Sequence, residues 1–397
     1  MLRFAYFSLF VLLILGGCQS SWAPPTEPCS LSPVFNINSE HPKADKIQRI
    51  MDRYVAQGIP GVIVLVDDED GMWVGSAGYA DLEQGLAMQT CHLNKLGSVT
   101  KMMMGSLVWD LVQEGLLDIE APISQYIPEI STQLPFGDQI KLYMLLNHSS
   151  GVYDIARDLE YNLAILNDMT HVWTEEEVLT FLEGKSATHE PGTAIRYSNT
   201  NTLLEGLIIE AVTGRPHAEV LQERIFDRLG MGETAYYNYD GDFPFGQLAQ
   251  GYLDFNNDEG SIQNISALNP GNGNGFTGVY GTVTDMFLFA DALLREQSLI
   301  EPENLALIYE TLGNNEESDP WQTSWGGIHS EYRNDLPEGI LALGHAGGDI
   351  GYSSCLNYFP HNETVFAATF NYGGNLPSPL LSVLRDLRRE LVLAMAE

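Results

Sequence analysis

Strand-like apolar runs stand at the two ends of this chain, and helical patterns fill the middle. Near the start, Gly61-Val62-Ile63-Val64-Leu65-Val66 is a continuous apolar run, the mark of a buried strand. Asp67 to Gly71 reads as a turn, with Asp70-Gly71 favouring it, and Met72 to Tyr79 as the returning strand. Ahead of them, Ile47, Ile50, Met51 and Val55 fall at helical spacing within Ala44 to Gln57. At the far end Ile340 to Leu343, Ser353 to Phe359 and Val365 to Asn371 read as strands, and a helix over Leu380 to Met395 follows. Between the two ends lie helices over Met102 to Leu117, Glu175 to Glu183 and Asn201 to Val212, the last stopped by Gly214. Another begins near Thr284-Asp285, with Thr284 as its N-cap. This order implies an α/β part, about residues 44–95 and 280–397, split by an inserted all-α part of about 96–279. A chain of 397 residues with 44% apolar content can bury one large core or two domains sharing a cleft.

The charge balance limits the partners. There are 53 Asp and Glu against 19 Lys and Arg, a net charge of −34. Nucleic acid is excluded as a partner, because its phosphates would be repelled. A solvated acidic surface accounts for most of the excess. Adaptation to a saline habitat is a sharper reading, with salt screening the self-repulsion.

The first residues read as a targeting segment. Met1-Leu2-Arg3 is short and basic, and Phe4 to Leu15 is apolar but too short to span a bilayer comfortably. Leu15-Gly16-Gly17-Cys18 then resembles a bacterial lipoprotein signal, which implies a signal peptide over residues 1–18 and lipid on the Cys18 thiol. Gln19 and Ser20 follow, without an Asp to suggest inner-membrane retention, so we expect a lipid anchor in the outer membrane on its periplasmic side. Residues 19–43 begin with a Ser-, Pro- and Thr-rich stretch and read as a tether to the domain of 44–397. Cys29, Cys91 and Cys355 remain, and in an oxidising envelope one pair can form. Cys29 with Cys91 would tie the arm to the body; spacing leaves the pairing open. No C-x-x-C or His-rich tract points to a metal.

Three motifs carry chemistry. In Ser98-Val99-Thr100-Lys101 a hydroxyl and an amine stand one helical turn apart. Serine is a weak nucleophile unless a base takes its proton, and burial lowers the pKa of an ammonium until it can do so. At a helix start the Ser98 N–H is also free to face an oxyanion. Tyr197-Ser198-Asn199 follows the Pro191-Gly192-Thr193 turn and opens a helix. A phenol beside an ammonium can relay a proton to a leaving group. Asn199 is expected to donate to a substrate amide or to Lys101. Tyr332-Arg333-Asn334 also matches Y-x-N, but lacks that setting. Gly344-His345-Ala346-Gly347-Gly348 stands at the end of the strand Ile340 to Leu343, where glycines let a substrate approach the edge.

In this order the three motifs resemble the serine β-lactamase and penicillin-binding protein superfamily, and most closely its class C branch with the D-alanyl-D-alanine carboxypeptidases and family esterases. Leu145-Leu146-Asn147-His148-Ser149-Ser150-Gly151, Phe226 to Met231, Ala249-Gln250-Gly251-Tyr252 and Thr282 to Met286 resemble further family segments. The resemblance implies an antiparallel sheet flanked by helices with an inserted helical domain. It implies Ser98 as the acylated nucleophile, Lys101 and Tyr197 as base and acid, and the N–H groups of Ser98 and Gly348 as the oxyanion hole. Asn199, His345 and Gly347 complete the substrate-binding set. His345 stands where family β-lactamases carry a lysine that attracts a substrate carboxylate, and a histidine is mostly neutral at pH 7. The expected activity is therefore hydrolysis of an amide or ester, carboxypeptidase- or esterase-like rather than that of a class C-type β-lactamase. The expected substrate is a small molecule or peptidoglycan-like, with no cofactor and a monomeric enzyme. A catalytically silent cell-wall-binding protein is the alternative of another class, and the intact tetrad and Tyr197 argue against it.

Two loops are set aside. Asp254 to Gly260 hints at a calcium loop but lacks the required Gly and Glu, so it reads as a polar hairpin tip. Gly271-Asn272-Gly273-Asn274-Gly275 lacks the G-K-[ST] ending of a phosphate cradle and reads as a loop beside the cleft. No G-x-S-x-G elbow exists, which argues against an α/β-hydrolase.

Overall fold

The computed structural model describes residues 25–30, 35–168, 171–236, 245–254, 262–266, 274–313, 324–332, 334–374 and 378–397. The signal segment with Cys18, most of the hairpin tip after Asp254, residues 271–273 and Arg333 lie outside the described residues.

In chain order the first stretch holds α1 (Ala44–Val55), β1 (Gly61–Asp68), β2 (Gly71–Asp81), β3 (Leu86–Ala87) and β4 (Asn94–Lys95). The middle holds α2 (Thr100–Gln113), α3 (Pro128–Ser131), α4 (Leu142–Leu146), α5 (Leu159–Asn167), α6 (Glu175–Thr180), α7 (Asn199–Thr213) and α8 (His217–Leu221). Four short strands follow: β5 (Ala235–Tyr236), β6 (Tyr252–Leu253), β7 (Gln263–Asn264) and β8 (Val279–Gly281). The last stretch holds α9 (Val283–Ala290), α10 (Pro302–Gly313), β9 (Ser324–Trp325), β10 (Ile328–Glu331), β11 (Ala342–Asp349), β12 (Tyr352–Phe359), β13 (Thr364–Phe370) and α11 (Pro379–Met395).

The two ends of the chain share one antiparallel sheet of eight strands, in the order β3-β2-β1-β13-β12-β11-β10-β9. The joint is β1 against β13, with Val62 opposite Phe370 and Val66 opposite Phe366. The apolar run of β1 is continuous because both of its faces are covered. Val62, Val64 and Val66 pack with Ile47 and Met51 of α1 and Leu384, Leu387 and Leu391 of α11. Ile63 and Leu65 belong to the larger core on the other face, with α2 and α9. From Thr100 to Trp109 every residue of α2 is buried, as for a helix enclosed on all sides.

Several expectations shift in detail. The N-cap of α9 is Thr282, not Thr284, because the Thr282 hydroxyl accepts the Asp285 N–H while Thr284 pairs with that hydroxyl. The glycine-rich 344–348 segment lies inside a strand rather than beyond its end: β11 runs to Asp349, paired with β12 throughout. The middle part also carries small strands, among them the antiparallel pair β6 and β7 with Leu253 opposite Gln263. Cys29 and Cys91 form a disulfide with Cα atoms 5.9 Å apart, and Cys355 is a free, buried thiol. Cross-linking a loop of this size is worth about 4 kcal/mol in the chain-entropy treatment.

Candidate active site

The tetrad bridges two local structures. Ser98 sits in a single 3₁₀ turn over Gly97–Val99, and Lys101 in the first turn of α2. Gly97 has φ +52°, and a Cβ there would stand 2.7 Å from the Gly348 nitrogen. Only glycine lets the Ser98 turn lie this close to β11. Gly347 is equally confined: its Cβ would meet Leu96 O at 2.1 Å and Ser354 Oγ at 2.2 Å. The Ser98 turn and the Gly348 segment are thus pressed backbone to backbone, with the Ser354 hydroxyl donating to Leu96 O at 2.7 Å.

Lys101 Nζ lies 3.1 Å from Ser98 Oγ and donates to the carbonyl of Phe276 at 2.7 Å. The Tyr197 phenol reaches the same Ser98 oxygen at 3.2 Å. Lys101 Nζ also sits 5.2 Å from the centre of the Tyr197 ring. Burial depresses the Lys101 ammonium to about 7, against the pull of Asp154, Glu205 and Asp349. Burial pushes the Tyr197 phenol far above its usual range, so it remains protonated. The site therefore offers a lysine able to accept a proton at neutral pH and a phenol able to give one.

Tyr197 is held by the Leu145–Gly151 segment. Arg196 N–H donates to His148 O at 2.9 Å, Gly192 N–H to Ser149 O at 2.8 Å, and Ser150 Oγ to Asn201 at 2.6 Å. His148 has φ +57°, and its ring lies 4.6 Å from that of Tyr197. Its Nδ1 accepts from Asn201 Nδ2 at 2.8 Å. Asn199 meets Asp154 rather than Lys101. Its backbone N–H and its side-chain nitrogen both donate to Asp154 Oδ1, at 3.0 and 3.1 Å, and Lys101 is served by Phe276 O instead. The side-chain carbonyl oxygen of Asn199 and its second amide hydrogen remain for a ligand.

His345 is buried, with its Nδ1 donating to Ala346 O at 2.7 Å and its Nε2 without a partner among the described residues. It packs on His329, ring centres 4.2 Å apart, and on Tyr197 at 6.0 Å. Burial, with Lys101 and two further histidines nearby, holds it well below the usual imidazole range, so it is neutral. The pocket itself holds about 290 Å³. Ser98, Tyr197, Asn199, Thr277, Gly348 and Asp349 line it together with residues of α5.

Sequence reasoning missed the partners. Glu205, buried in α7, is pushed up to about 8 by desolvation against the pull of Lys101. A lone carboxylate in Leu203-Leu204-Glu205-Gly206-Leu207-Ile208-Ile209 was its signal. Nothing in the local pattern marks Asp154, His329 or the Phe276 carbonyl.

A family model described as Beta-lactamase matches residues 47–386, most of the chain. The chain belongs to the β-lactamase family. That places it among serine hydrolases of this fold. It is 25% identical over 318 residues to penicillin-binding protein 4* of Bacillus subtilis, covering 77% of this chain and 66% of that protein. It is 25% identical over 339 residues to the teichoic acid D-alanine hydrolase of Staphylococcus aureus, covering 81% of this chain and 78% of that protein. Among solved structures, the D-amino acid amidase of Ochrobactrum anthropi SV3 complexed with D-phenylalanine superposes with a TM-score of 0.73 at 25% identity, covering 88% of this chain and 98% of the amidase.

Proposed function

We propose that the protein cleaves a small amide or ester through an acyl-enzyme on Ser98, in the manner of a carboxypeptidase or esterase. The observation that carries this reading is the position of Ser98 Oγ, 3.1 Å from Lys101 Nζ and 3.2 Å from the Tyr197 hydroxyl. Ser98 Oγ attacks the substrate carbonyl carbon while its proton passes to the neutral amine of Lys101. The carbonyl oxygen becomes an oxyanion held by the N–H groups of Ser98 and Gly348. The tetrahedral intermediate collapses, the bond to the leaving group breaks, and Tyr197 gives that group a proton and recovers one from Lys101. A water molecule, deprotonated by the same pair, then releases the acid. The relatives' names, teichoic acid D-alanine hydrolase and D-amino acid amidase, support small D-aminoacyl esters and amides as the substrate class. A penicillin fits less well, since His345 is neutral where a carboxylate calls for a cation.

We place the protein in the cell envelope, anchored by lipid on Cys18. The signal-like Leu15 to Cys18 stretch and the Cys29–Cys91 disulfide, which suits an oxidising compartment, support that position. One experiment addresses both claims. Cells producing the full chain are fractionated and treated with a fluorophosphonate probe. Labelling in the membrane fraction is expected for wild type and absent for Ser98→Ala. Equal labelling of both removes Ser98 from its role, and a labelled band confined to the soluble fraction removes the anchor.

A further inference from the structure

Asp349 ends β11, one residue beyond Gly348, and lines the same pocket as Ser98. It is the charged member of that lining: among the described residues no lysine or arginine lines the pocket, and Lys101 is buried behind Ser98. The carboxylate is held in place. Its Oδ2 accepts from the Thr277 hydroxyl at 2.7 Å and its Oδ1 from the Ile350 N–H at 2.7 Å. Each carboxylate oxygen takes two donors, so capacity remains for a ligand. Its charge is felt within the site, where it raises the pKa of both Lys101 and the buried Lys95. Lys95 is packed over the rings of Tyr280 and Tyr352 and is not part of the pocket wall.

Two further observations point the same way. His345 supplies no positive charge, and among the described residues the pocket lining holds no lysine or arginine to meet a substrate carboxylate. The whole chain carries a net charge of −34, a field that draws cations toward a cleft and repels anions. We infer that Asp349 is a specificity-determining residue that binds a protonated amine on the acyl portion of the substrate, so that the enzyme prefers aminoacyl amides and esters with a free amine. This inference rests on the Ser98 acyl-enzyme reading. The acyl side is indicated because the leaving group must face Tyr197, which protonates it. Asp349 hangs instead from the strand whose Gly348 N–H holds the carbonyl oxygen. An α-amine stands two bonds from that carbonyl carbon, and neighbouring residues along a chain are 3.8 Å apart at Cα, so one carboxylate placed beside the oxyanion donor can reach it.

The test compares D-alanine p-nitroanilide with N-acetyl-D-alanine p-nitroanilide at pH 7, where an α-amine of pKa near 7.7 is mostly charged. Hydrolysis of p-nitrophenyl acetate is measured alongside. We expect the wild type to favour the free amine in kcat/KM by about tenfold or more, the size of a charge-assisted hydrogen bond. In Asp349→Asn that preference is expected to shrink about tenfold, chiefly through KM for the free amine. A wild type that treats the two anilides alike, or prefers the acetylated one, overturns the inference whether or not the variant folds. So does a variant whose preference is unchanged. If the wild type fails even on p-nitrophenyl acetate, the Ser98 reading falls and takes this inference with it. Ester turnover with no amine preference sinks the inference alone.

Discussion

Lys101 and Glu205 are both buried, and each feels the charge of the other. Desolvation drives the lysine down to about 7 and the carboxyl up to about 8, so at pH 7 Glu205 is mostly protonated while Lys101 is divided between its charged and neutral forms. The sign for activity follows. Lys101 accepts the Ser98 proton only when unprotonated, so kcat/KM for a neutral ester should climb with pH through about 7 and then level off. Tyr197, held far above its usual range, contributes no falling limb at ordinary pH. Glu205 is mostly protonated where Lys101 titrates, so Glu205→Gln should move the rising limb only slightly to lower pH. A pH–rate profile of both proteins checks this; a wild-type profile flat from pH 6 to 8 rules out Lys101 as the base.

At the scale of elements, the proposed oxyanion hole depends on how closely the Ser98 turn meets β11. The two N–H groups belong to segments 250 residues apart in sequence, and backbone contact at Gly97 and Gly347, with the Ser354 hydroxyl on Leu96 O, aligns them. Gly97→Ala places a methyl 2.7 Å from Gly348 N at a left-handed φ, and the strand must retreat. Loss of one oxyanion donor costs about 10²–10³ in kcat, and that is the expected range. Gly85→Ala is the control. It has a similar positive φ, +64°, but nothing stands within 4 Å, so only a stability loss of about 1 kcal/mol is expected. Steady-state kinetics and melting of both variants separate geometry from backbone strain; equal kcat in the two would contradict the alignment argument. The same contrast explains what the sequence discloses. Ser98 and Lys101 share a helical turn, and Tyr197 opens a helix after a turn, so local pattern marks them. The α1, β1, β2, β12, β13 and α11 segments follow directly from apolar periodicity. Asp154 beneath Asn199 and Phe276 O beneath Lys101 are brought in by tertiary packing, and no spacing announces them. The α9 cap stands two residues before the one the sequence suggests because Thr282 and Thr284 both carry hydroxyls, and only the direction of the Asp285 N–H chooses between them. The extent of β11 was hidden because glycines break the apolar pattern while their pairing with β12 continues.

The whole molecule carries far more carboxylates than it can pair. With 53 acidic and 19 basic side chains, most Asp and Glu have no cation to meet. Among the described residues several ion pairs lie at the surface, such as Arg215 with Glu223 and Lys141 with Glu120, where each is worth about 0–1 kcal/mol. Salt acts on both terms with opposite sign. It weakens the attractive pairs, which lowers stability, and it screens the repulsion among unpaired carboxylates, which raises it. The repulsive term has many more members and acts over longer distances, which is where screening is strongest, with a Debye length falling from about 30 Å at 0.01 M to about 3 Å at 1 M. The Cys29–Cys91 disulfide is indifferent to salt and leaves the sign unchanged. The melting temperature should therefore rise by several degrees between 0.01 M and 0.5 M sodium chloride, with most of the gain below about 0.2 M, where the Debye length shortens fastest. Differential scanning calorimetry across that range decides it: a falling melting temperature would mean that the surface ion pairs, rather than the excess charge, dominate the electrostatics of the fold.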